Sequence, residues 1–373
     1  MSNKKAYIAG TIYTGTDTLR HHAILVNEGK IESLVPAIMI PADYEKESFA
    51  DDASLAPAFI DLQLYGAHNR LLSLYPDALT VTEIVRYSKE GGATWCMPTV
   101  ATNTYDTIFK CIDAIKDYWQ QGGKGVLGLH IEGPWISQTY KGAHNPDWIF
   151  SPTVEQAKQL LEYGKGVIKM ITLAPEVCSA EVVKTVQSYD VIISAGHSNL
   201  TYEDATKLFT DDVIDTVTHL YNAMSPLHHR KPGLVGAVLN HSVVKAAIIP
   251  DGLHVAFPAV RIAKKLLGER LFAITDSVPE TTEGWYKHKF EGDHYTSNGI
   301  LSGSALTMHK AFVNLVKEVG ISIEESLRMC SLYPARVVMQ SDEIALLKKG
   351  YPADLVALDK DLNLLTVISA NTG

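Results

Sequence analysis

The stretch Gly128-Leu-His-Ile-Glu-Gly-Pro134 decides how the rest of the chain is interpreted. It contains the end of an apolar run, residues 126–131, which is typical of a buried strand. The run stops at Glu132, because Gly133-Pro134 cannot continue a strand. The sequence therefore predicts a carboxylate at the carboxyl end of a buried strand, at the mouth of a sheet or barrel.

Similar apolar runs recur after Pro57, and most are followed by a segment whose apolar residues have helical spacing. We predict eight strands, at residues 58–64, 94–100, 126–131, 167–173, 191–195, 214–220, 243–249 and 271–275. Helices are predicted among them at residues 82–90, 104–119, 153–163, 180–188, 202–209 and 256–267. This alternation predicts the α/β class and a (β/α)8 TIM-like barrel.

Both ends of the chain have a different pattern, with short β-like runs separated by turns. They lie at residues 5–9, 22–26 and 30–34, and again at 350–359. We expect one small β-sandwich domain from residues 1–56 and 345–373, and a barrel domain from residues 57–344. After the eighth strand, residues 287–303 predict a β-hairpin, and residues 305–319 and 323–330 predict helices.

Composition and charge exclude several classes of protein. The 33 basic and 42 acidic residues give a formal charge of −9, which disfavours binding to nucleic acid or to an anionic membrane. No apolar run reaches the roughly 18 residues that a membrane span needs. No long apolar segment follows Lys4 and Lys5, so we expect no signal peptide. Four scattered cysteines predict free thiols in a reducing cytoplasm.

Five side chains suited to catalysis or metal binding stand at the carboxyl ends of predicted strands: Glu132, His197, His219, His254 and Asp276. A single histidine at a strand end is more often structural. In a barrel, however, all five would converge on one face, which is where the chemistry of this fold takes place. One glutamate and two histidines are a common ligand set for a catalytic divalent ion that keeps a coordination position for water.

The positions of these residues predict their roles. Glu132, His197 and His219 would hold the metal, which lowers the pKa of its bound water towards about 7. Asp276 would accept the proton of that water and pass it to the leaving group. His254 would donate a hydrogen bond to the carbonyl oxygen as negative charge develops. Together they predict a metal-assisted hydrolase of an amide or a similar carbonyl compound.

A basic segment, Leu227-His-His-Arg-Lys-Pro-Gly233, follows the sixth predicted strand. It is either a solvated loop or, at the mouth of the site, a clamp for an anionic substrate. Arg230 is the best phosphate ligand in it, because its planar guanidinium binds oxygen atoms in pairs. The loop after Glu132, Lys141-Gly-Ala-His-Asn-Pro146, is a second candidate for shaping a polar substrate pocket.

The ordered motifs resemble the N-acetylglucosamine-6-phosphate deacetylases of the amidohydrolase superfamily. The resemblance covers about residues 57–359 and is specific as a set. Its motifs are His-Ile-Glu-Gly-Pro-Trp, Lys-Gly-Ala-His-Asn-Pro, Ala-Gly-His-Ser, Thr-His-Leu-Tyr-Asn-Ala-Met, Arg-Lys-Pro-Gly-Leu-Val-Gly-Ala, Asp-Gly-Leu-His-Val, Thr-Asp and Leu-Ser-Gly-Ser-Ala-Leu-Thr-Met. It implies release of acetate from the 2-acetamido group of a sugar phosphate in amino-sugar catabolism.

The resemblance also implies roles for particular residues and an oligomeric state. It assigns Glu132, His197 and His219 as metal ligands and Asp276 as the catalytic acid and base, in agreement with the roles above. It implies a homodimer in which the neighbouring subunit helps to bind phosphate. It adds as sugar-phosphate or acyl contacts Ala143, His144, Asn222, Ala223, Arg230, His254, Leu301, Ser302 and Gly303.

The first predicted strand departs from the pattern of many amidohydrolases. Where they carry two histidines for a second metal, this chain has Gln63 and Tyr65, which are poor ligands. We therefore expect one divalent ion per subunit, with zinc as the first candidate and iron, cobalt, nickel or manganese as alternatives. His68 and Arg70 replace a glycine-rich run of the family, and we expect them to reshape the pocket.

Other functions remain open at this point. The same machinery would serve an N-acetylgalactosamine-6-phosphate deacetylase or another amidohydrolase of phosphorylated substrates. An aminoacylase or a cyclic-amide hydrolase is a broader alternative, which the basic segment around Arg230 disfavours. A non-catalytic amidohydrolase-like scaffold would be expected to lack metal ligands or the acid/base residue, whereas this chain has all four.

Overall fold

The amino-terminal part of the chain forms an antiparallel sheet with two parallel additions. In the computed structural model, which describes residues 4–214 and 216–370, β1 pairs along its length with β2, and β2 pairs with β3. The other edge of β1 pairs in parallel with β4 and then with β5. These strands are β1 (Lys4–Tyr13), β2 (Thr18–Asn27), β3 (Lys30–Pro36), β4 (Glu45–Ser48) and β5 (Ser54–Pro57).

The centre of the molecule is a barrel of eight parallel strands, in which each strand pairs with the next along the chain. The first is β6 (Phe59–Leu64), and its loop carries a short hairpin of β7 (Gly66–Ala67) and β8 (Arg70–Leu71). The others are β9 (Ala93–Ala101), β10 (Leu129–Glu132), β11 (Ile168–Leu173), β12 (Ile192–Ala195), β13 (Thr216–Val217), β14 (Lys245–Ile248) and β15 (Leu271–Ala273).

Backbone contacts between the first and last strands nearly close this barrel. The amide of Asp276 donates to the carbonyl of Gln63 at 2.9 Å, and the amide of Tyr65 donates to the carbonyl of Ser277 at 2.9 Å. These bonds lie just beyond the end of β15, at the carboxyl ends of the strands. They place residues of the first strand beside the end of the eighth.

Helices follow most of the barrel strands and cover the outside of the barrel. They are α1 (Ala78–Glu90), α2 (Tyr105–Gln120), α3 (Val154–Tyr163), α4 (Ala180–Gln187), α5 (Tyr202–Thr210), α6 (Gly233–Asn240) and α7 (Phe257–Leu267). Side-chain caps begin five of them; Thr153, for example, accepts from the amide of Gln156 in a capping box. Six of the seven match predicted helices, whereas α6 was not predicted.

After β15 the chain forms an antiparallel insert of β16 (Lys289–Phe290), β17 (His294–Ser297) and β18 (Ile300–Ser304). We call residues 281–304 the hairpin insert; the predicted hairpin is confirmed, with a third strand added. Next come α8 (Met308–Asn314), which runs on as a π-helix at Leu315–Val319, then α9 (Ile323–Cys330) and α10 (Leu332–Val337). Among the described residues, no helix is long and apolar enough to span a membrane.

The chain then returns to the small sheet through β19 (Leu355–Leu358) and β20 (Leu364–Ile368). β19 pairs with β5 and β20 with β19, so one seven-stranded sheet is built from both ends of the chain. The predicted fold class is therefore confirmed. The domain boundaries at 56/57 and 344/345 stay a prediction. Residue 215 of the sixth predicted strand, and residues 1–3 and 371–373 of the predicted small domain, lie outside the described residues.

A buried carboxyl group ties the first strand of the barrel to the end of the eighth. Asp61 Oδ2 accepts from the hydroxyl of Thr275 at 2.5 Å, and Asp61 Oδ1 accepts from the Thr275 amide at 3.2 Å. Burial raises the pKa of Asp61 to about 7, against the opposing effect of these hydrogen bonds. The folded protein therefore favours the neutral carboxyl below that pH.

This shift predicts how the free energy of unfolding depends on pH. A raised folded-state pKa contributes stability that is complete below the unfolded value near 4 and is lost as the pH rises through about 7. Relative to Asp61→Asn, which mimics the neutral group, the wild type should lose up to about 4 kcal/mol between pH 4 and pH 7. Urea denaturation of both proteins across this pH range would measure the difference. If the free energy of unfolding depended on pH in the same way for both proteins, the prediction would be contradicted.

Candidate active site

Three barrel strands bring a carboxylate and two imidazoles together. Glu132 is the last residue of β10. His197 stands two residues after β12, and His219 stands two residues after β13. Glu132 Oε1 lies 3.0 Å from His219 Nε2 and 3.3 Å from His197 Nε2, and the two Nε2 atoms are 3.1 Å apart. In the part of the chain that the structure describes, this is the one group of three or more histidine, cysteine or acidic residues close enough to hold a metal ion.

The backbone at these strand ends is in the left-handed region. The φ angles of His197, His219 and Asp276 are 48°, 31° and 55°. Such conformations cost non-glycine residues about 1–3 kcal/mol and persist where the surrounding structure enforces them. Here they follow directly after the strands, where they turn each polar side chain into the cavity that the barrel opens into.

Electrostatics keep the central carboxylate ionised although it is only 1% exposed. Burial opposes ionisation, but its histidine neighbours, His197 foremost, hold the pKa of Glu132 well below its usual range. His144 adds a contact of 3.2 Å from Nε2 to the second carboxylate oxygen, Oε2. A converging set of imidazoles around one carboxylate is a suitable donor set for a divalent cation.

Two neutral side chains, one in β6 and one directly after it, lie between Glu132 and Asp276. Gln63 Nε2 lies 3.0 Å from Glu132 Oε1 and 2.7 Å from Asp276 Oδ1. The hydroxyl of Tyr65 donates to Glu132 Oε2 at 2.5 Å and lies 3.2 Å from Asp276 Oδ1. Burial raises the pKa of Asp276, and the electrostatic interaction with His219 opposes this increase. Gln63 and Tyr65 thus link the two carboxyl groups through hydrogen bonds.

One cavity of about 220 Å³ contains this group and almost all the other predicted site residues. Asp276 and His254 line it, as do the predicted substrate contacts Ala143, His144, Asn222, Ala223, Leu301, Ser302 and Gly303. Its wall is therefore built from the loops after several barrel strands and from the hairpin insert. A site of this kind can bind a small polar molecule beside the Glu132 group.

Asp251 fixes the ring of His254. Asp251 Oδ1 accepts from the backbone amides of Leu253 and His254, and Oδ2 lies 2.5 Å from His254 Nδ1. Burial opposes ionisation, but the bond to His254 holds the pKa of Asp251 below its usual value. The imidazole thus has a fixed orientation, which leaves Nε2 as the nitrogen for a ligand in the cavity.

Three residues with expected pocket roles lie elsewhere in the described chain. Arg230 is exposed, and its Nε lies 3.1 Å from His229 Nε2, outside the cavity lining. The expectation that His68 and Arg70 reshape the pocket is not met. His68 Nδ1 pairs with Glu83 at 2.7 Å, and Arg70 binds Asp77 at 2.6 Å, so both point onto α1. Neither side chain lines the cavity, because each is paired with a carboxylate of α1 or of its N-cap, Asp77.

Sequence reasoning missed several residues of the cavity wall. Tyr286 and His288 of the hairpin insert line the cavity, and the Tyr286 hydroxyl donates to the carbonyl of Thr102 at 2.6 Å. No periodic pattern marks them. Asp251, which fixes His254 but does not itself line the cavity, was also missed. Here a signal was present, since Asp251 and His254 are three residues apart in Asp-Gly-Leu-His, a spacing that allows a local carboxylate–imidazole pair.

Known proteins share this architecture and much of the sequence. Residues 54–372 match the Amidohydrolase family, and residues 6–50 match the NagA composite domain. The N-acetylglucosamine-6-phosphate deacetylase of Haemophilus influenzae is 33% identical over 98% of both chains. The N-acetylgalactosamine-6-phosphate deacetylase of Escherichia coli O157:H7 is 30% identical over 95% of both.

A solved structure extends the comparison to three dimensions. The crystal structure of N-acetylglucosamine-6-phosphate deacetylase from Pasteurella multocida superposes with a TM-score of 0.93 at 31% identity, covering 98% of each chain. Both domains are therefore shared, and not the barrel alone. The chain belongs to the amidohydrolase family of hydrolases, in the branch that contains the N-acetylglucosamine-6-phosphate deacetylases.

Proposed function

We propose that this protein is a metal-dependent deacetylase that hydrolyses N-acetyl-D-glucosamine 6-phosphate to D-glucosamine 6-phosphate and acetate, in amino-sugar catabolism. The observation that carries the proposal is the buried group of Glu132, His197 and His219 beside Asp276 in one cavity. Similarity to deacetylases over nearly the whole chain supports the choice of substrate.

Each residue has a role that its position allows. Glu132, His197 and His219 would hold the ion, which supplies Lewis acidity and a more acidic water at neutral pH. Asp276 accepts the proton of the attacking water and delivers it to the amide nitrogen as the bond to the acetyl group breaks. His254, fixed by Asp251, donates to the acetyl oxygen as charge builds on it.

Parallel assays of acetate release from N-acetylglucosamine 6-phosphate and N-acetylgalactosamine 6-phosphate test the proposal. We expect a higher kcat/KM for the glucosamine substrate. The reverse order would assign the enzyme to the galactosamine epimer, a second candidate that the relative from Escherichia coli O157:H7 favours. Metal-loaded protein that hydrolyses neither sugar phosphate would point to a non-catalytic scaffold.

The metal stoichiometry is a further prediction. Gln63 and Tyr65 fill the space between Glu132 and Asp276 with an amide and a phenol, both of which donate hydrogen bonds and bind cations poorly. We therefore expect one equivalent of a divalent ion per chain, zinc being our first candidate. Metal analysis of freshly purified protein measures this, and two equivalents would refute the single-metal assignment.

We propose that a second copy of the chain contributes to binding of the phosphate group. Arg230 is exposed outside the cavity lining of its own chain, so its guanidinium is accessible to the site of a neighbouring chain. We propose a homodimer in which Arg230 of one subunit binds the substrate phosphate held by the other. Charge-assisted, paired hydrogen bonds of this type are the strong ones.

Arg230→Ala is expected to raise KM for the sugar phosphate by about 10- to 100-fold, since a hydrogen bond to a charged group contributes about 1.5–3 kcal/mol. It should change kcat little, because the phosphate is remote from the amide. Initial-rate kinetics give both constants. Lys231→Ala is the control for charge alone, and an unchanged KM in Arg230→Ala would exclude the clamp.

We also propose a cytoplasmic location and the domain division given above. All four cysteines are free, and Cys96, Cys111 and Cys330 are buried, which suits a reducing compartment. The division into residues 1–56 with 345–373, and 57–344, is supported by the pairing of β19 with β5 in the sheet that both ends of the chain build.

A further inference from the structure

The hairpin insert places a histidine in the wall of the active-site cavity. His288 directly precedes β16, is 4% exposed and lines the same cavity as Glu132. Its backbone amide donates to the hydroxyl of Thr281 at 2.9 Å, and that hydroxyl donates to the carbonyl of Tyr286 at 2.5 Å. The roles proposed above for metal binding, proton transfer and phosphate binding leave this side chain unused.

The ring of His288 is held in a defined orientation. Its Nδ1 lies 2.9 Å from the hydroxyl of Ser302, on the neighbouring part of the insert. The ring also lies nearly parallel to that of Tyr286, at 10° and with the centroids 6.1 Å apart. Nδ1 is thereby engaged, which leaves Nε2 as the nitrogen for a molecule in the cavity.

The insert is braced against the metal-binding group. The Tyr286 hydroxyl donates to the carbonyl of Thr102, and the Thr102 hydroxyl lies 2.7 Å from His144 Nδ1. His144 Nε2 in turn lies 3.2 Å from Glu132 Oε2. The position of His288 relative to the reacting centre is therefore set by a continuous series of contacts and not by a free loop.

The charge of His288 limits what it can recognise. Burial lowers the pKa of this imidazole to about 4, so the ring is neutral at pH 7. A neutral imidazole has one donor and one acceptor and is a poor partner for a phosphate, which prefers arginine or lysine. Its best partner in a sugar phosphate is a hydroxyl group, which can both donate and accept.

We propose that His288 is a specificity-determining residue whose Nε2 forms a hydrogen bond with the 3- or 4-hydroxyl group of the substrate's sugar ring, with Ser302 fixing the ring orientation. This inference rests on the proposed function, because it takes the substrate to be an N-acetylhexosamine 6-phosphate. It adds a recognition element for the hydroxyl groups by which hexosamine epimers differ.

The test combines a protein variant with substrates that lack one hydroxyl group. His288→Phe keeps a ring of similar size but removes both nitrogen atoms. His294→Ala is the matched control, since His294 lies on β17 of the same insert and pairs with Asp293. The substrates are N-acetylglucosamine 6-phosphate and its 3-deoxy and 4-deoxy analogues, with metal content measured for each protein.

We expect His288→Phe to lower kcat/KM for the parent substrate about 10-fold, which is the effect of one neutral hydrogen bond of about 1.4 kcal/mol. Wild type and His294→Ala should lose a similar factor with one deoxy analogue. For His288→Phe, kcat/KM should fall by less than about 2-fold from the parent substrate to that analogue, because the substitution and the missing hydroxyl group remove the same hydrogen bond. Its metal content should equal that of the wild type.

If His288→Phe lowered kcat/KM by the same factor, relative to the wild type, for the parent substrate and for both analogues, the inference would be overturned. Such a result would mean that the ring acts through shape alone. Unchanged kinetics in His288→Phe would overturn it as well. A wild type that binds metal but releases no acetate from the parent substrate would instead refute the proposed function itself. The two failures are therefore distinguishable in one set of measurements.

Discussion

Asp276→Asn is expected to lower kcat for acetate release by about 10³-fold while the bound metal is retained. Asp276 stands at the end of the eighth barrel strand, and its Oδ1 lies 2.7 Å from Gln63 Nε2 and 3.2 Å from the Tyr65 hydroxyl. An asparagine keeps the shape and an oxygen for these donors. It cannot accept a proton, and a positioned general base contributes about 10²- to 10⁴-fold.

Single-turnover and steady-state assays on metal-loaded Asp276→Asn measure this loss, and metal analysis shows whether the ion remains. KM should change little, since Asp276 acts on the water and the leaving nitrogen. A kcat within tenfold of the wild type would assign the proton transfer to another group. Loss of the metal in this variant would place Asp276 among the ligands.

The barrel and the central group were predictable because the relevant information is local. Each predicted strand is an apolar run with a defined end, and parallel barrel strands bring their ends to one face. The positions of Glu132, His197 and His219 in the chain were therefore sufficient to predict that they meet. The structure brings their ligand atoms within 4.8 Å of one another.

Periodicity failed where burial removes the pattern. Helix α6 has the sequence Gly-Leu-Val-Gly-Ala-Val-Leu-Asn, and its first seven residues are buried. A helix without a polar face has no amphipathic signal, so it cannot be told from a buried strand by spacing alone. This helix directly follows the segment that contains Arg230.

Loop residues were unpredictable for a different reason, since their neighbours are set by tertiary structure. The hairpin insert was predicted, but nothing in its sequence shows that His288 turns towards the cavity and Trp285 does not. The same holds for Arg70, which could pair with Asp77 only once α1 was in place. Tertiary packing, and not the local sequence pattern, decides such cases.

Glu132→Gln is expected to weaken metal binding by more than about 100-fold, because even partners outside the ligand shell contribute 10- to 100-fold. Both oxygens of Glu132 face hydrogen-bond donors. Gln63 Nε2 lies 3.0 Å from Oε1, whereas Tyr65 Oη lies 2.5 Å and His144 Nε2 3.2 Å from Oε2. In either orientation, the amide nitrogen of a glutamine would meet a donor and could not replace the lost charge.

Comparison with Asp276→Asn makes this prediction specific, because both variants change a carboxylate to an amide in the same cavity. Purified Glu132→Gln should contain little metal, and excess divalent ion should restore part of its activity. Asp276→Asn should contain one equivalent and gain nothing from added metal. Titration of metal-free protein with zinc, followed by calorimetry, gives the two affinities. If Glu132→Gln bound zinc as tightly as Asp276→Asn, the role of Glu132 as a metal ligand would be excluded, since a carboxylate that could be neutralised without loss would not belong to the coordination shell.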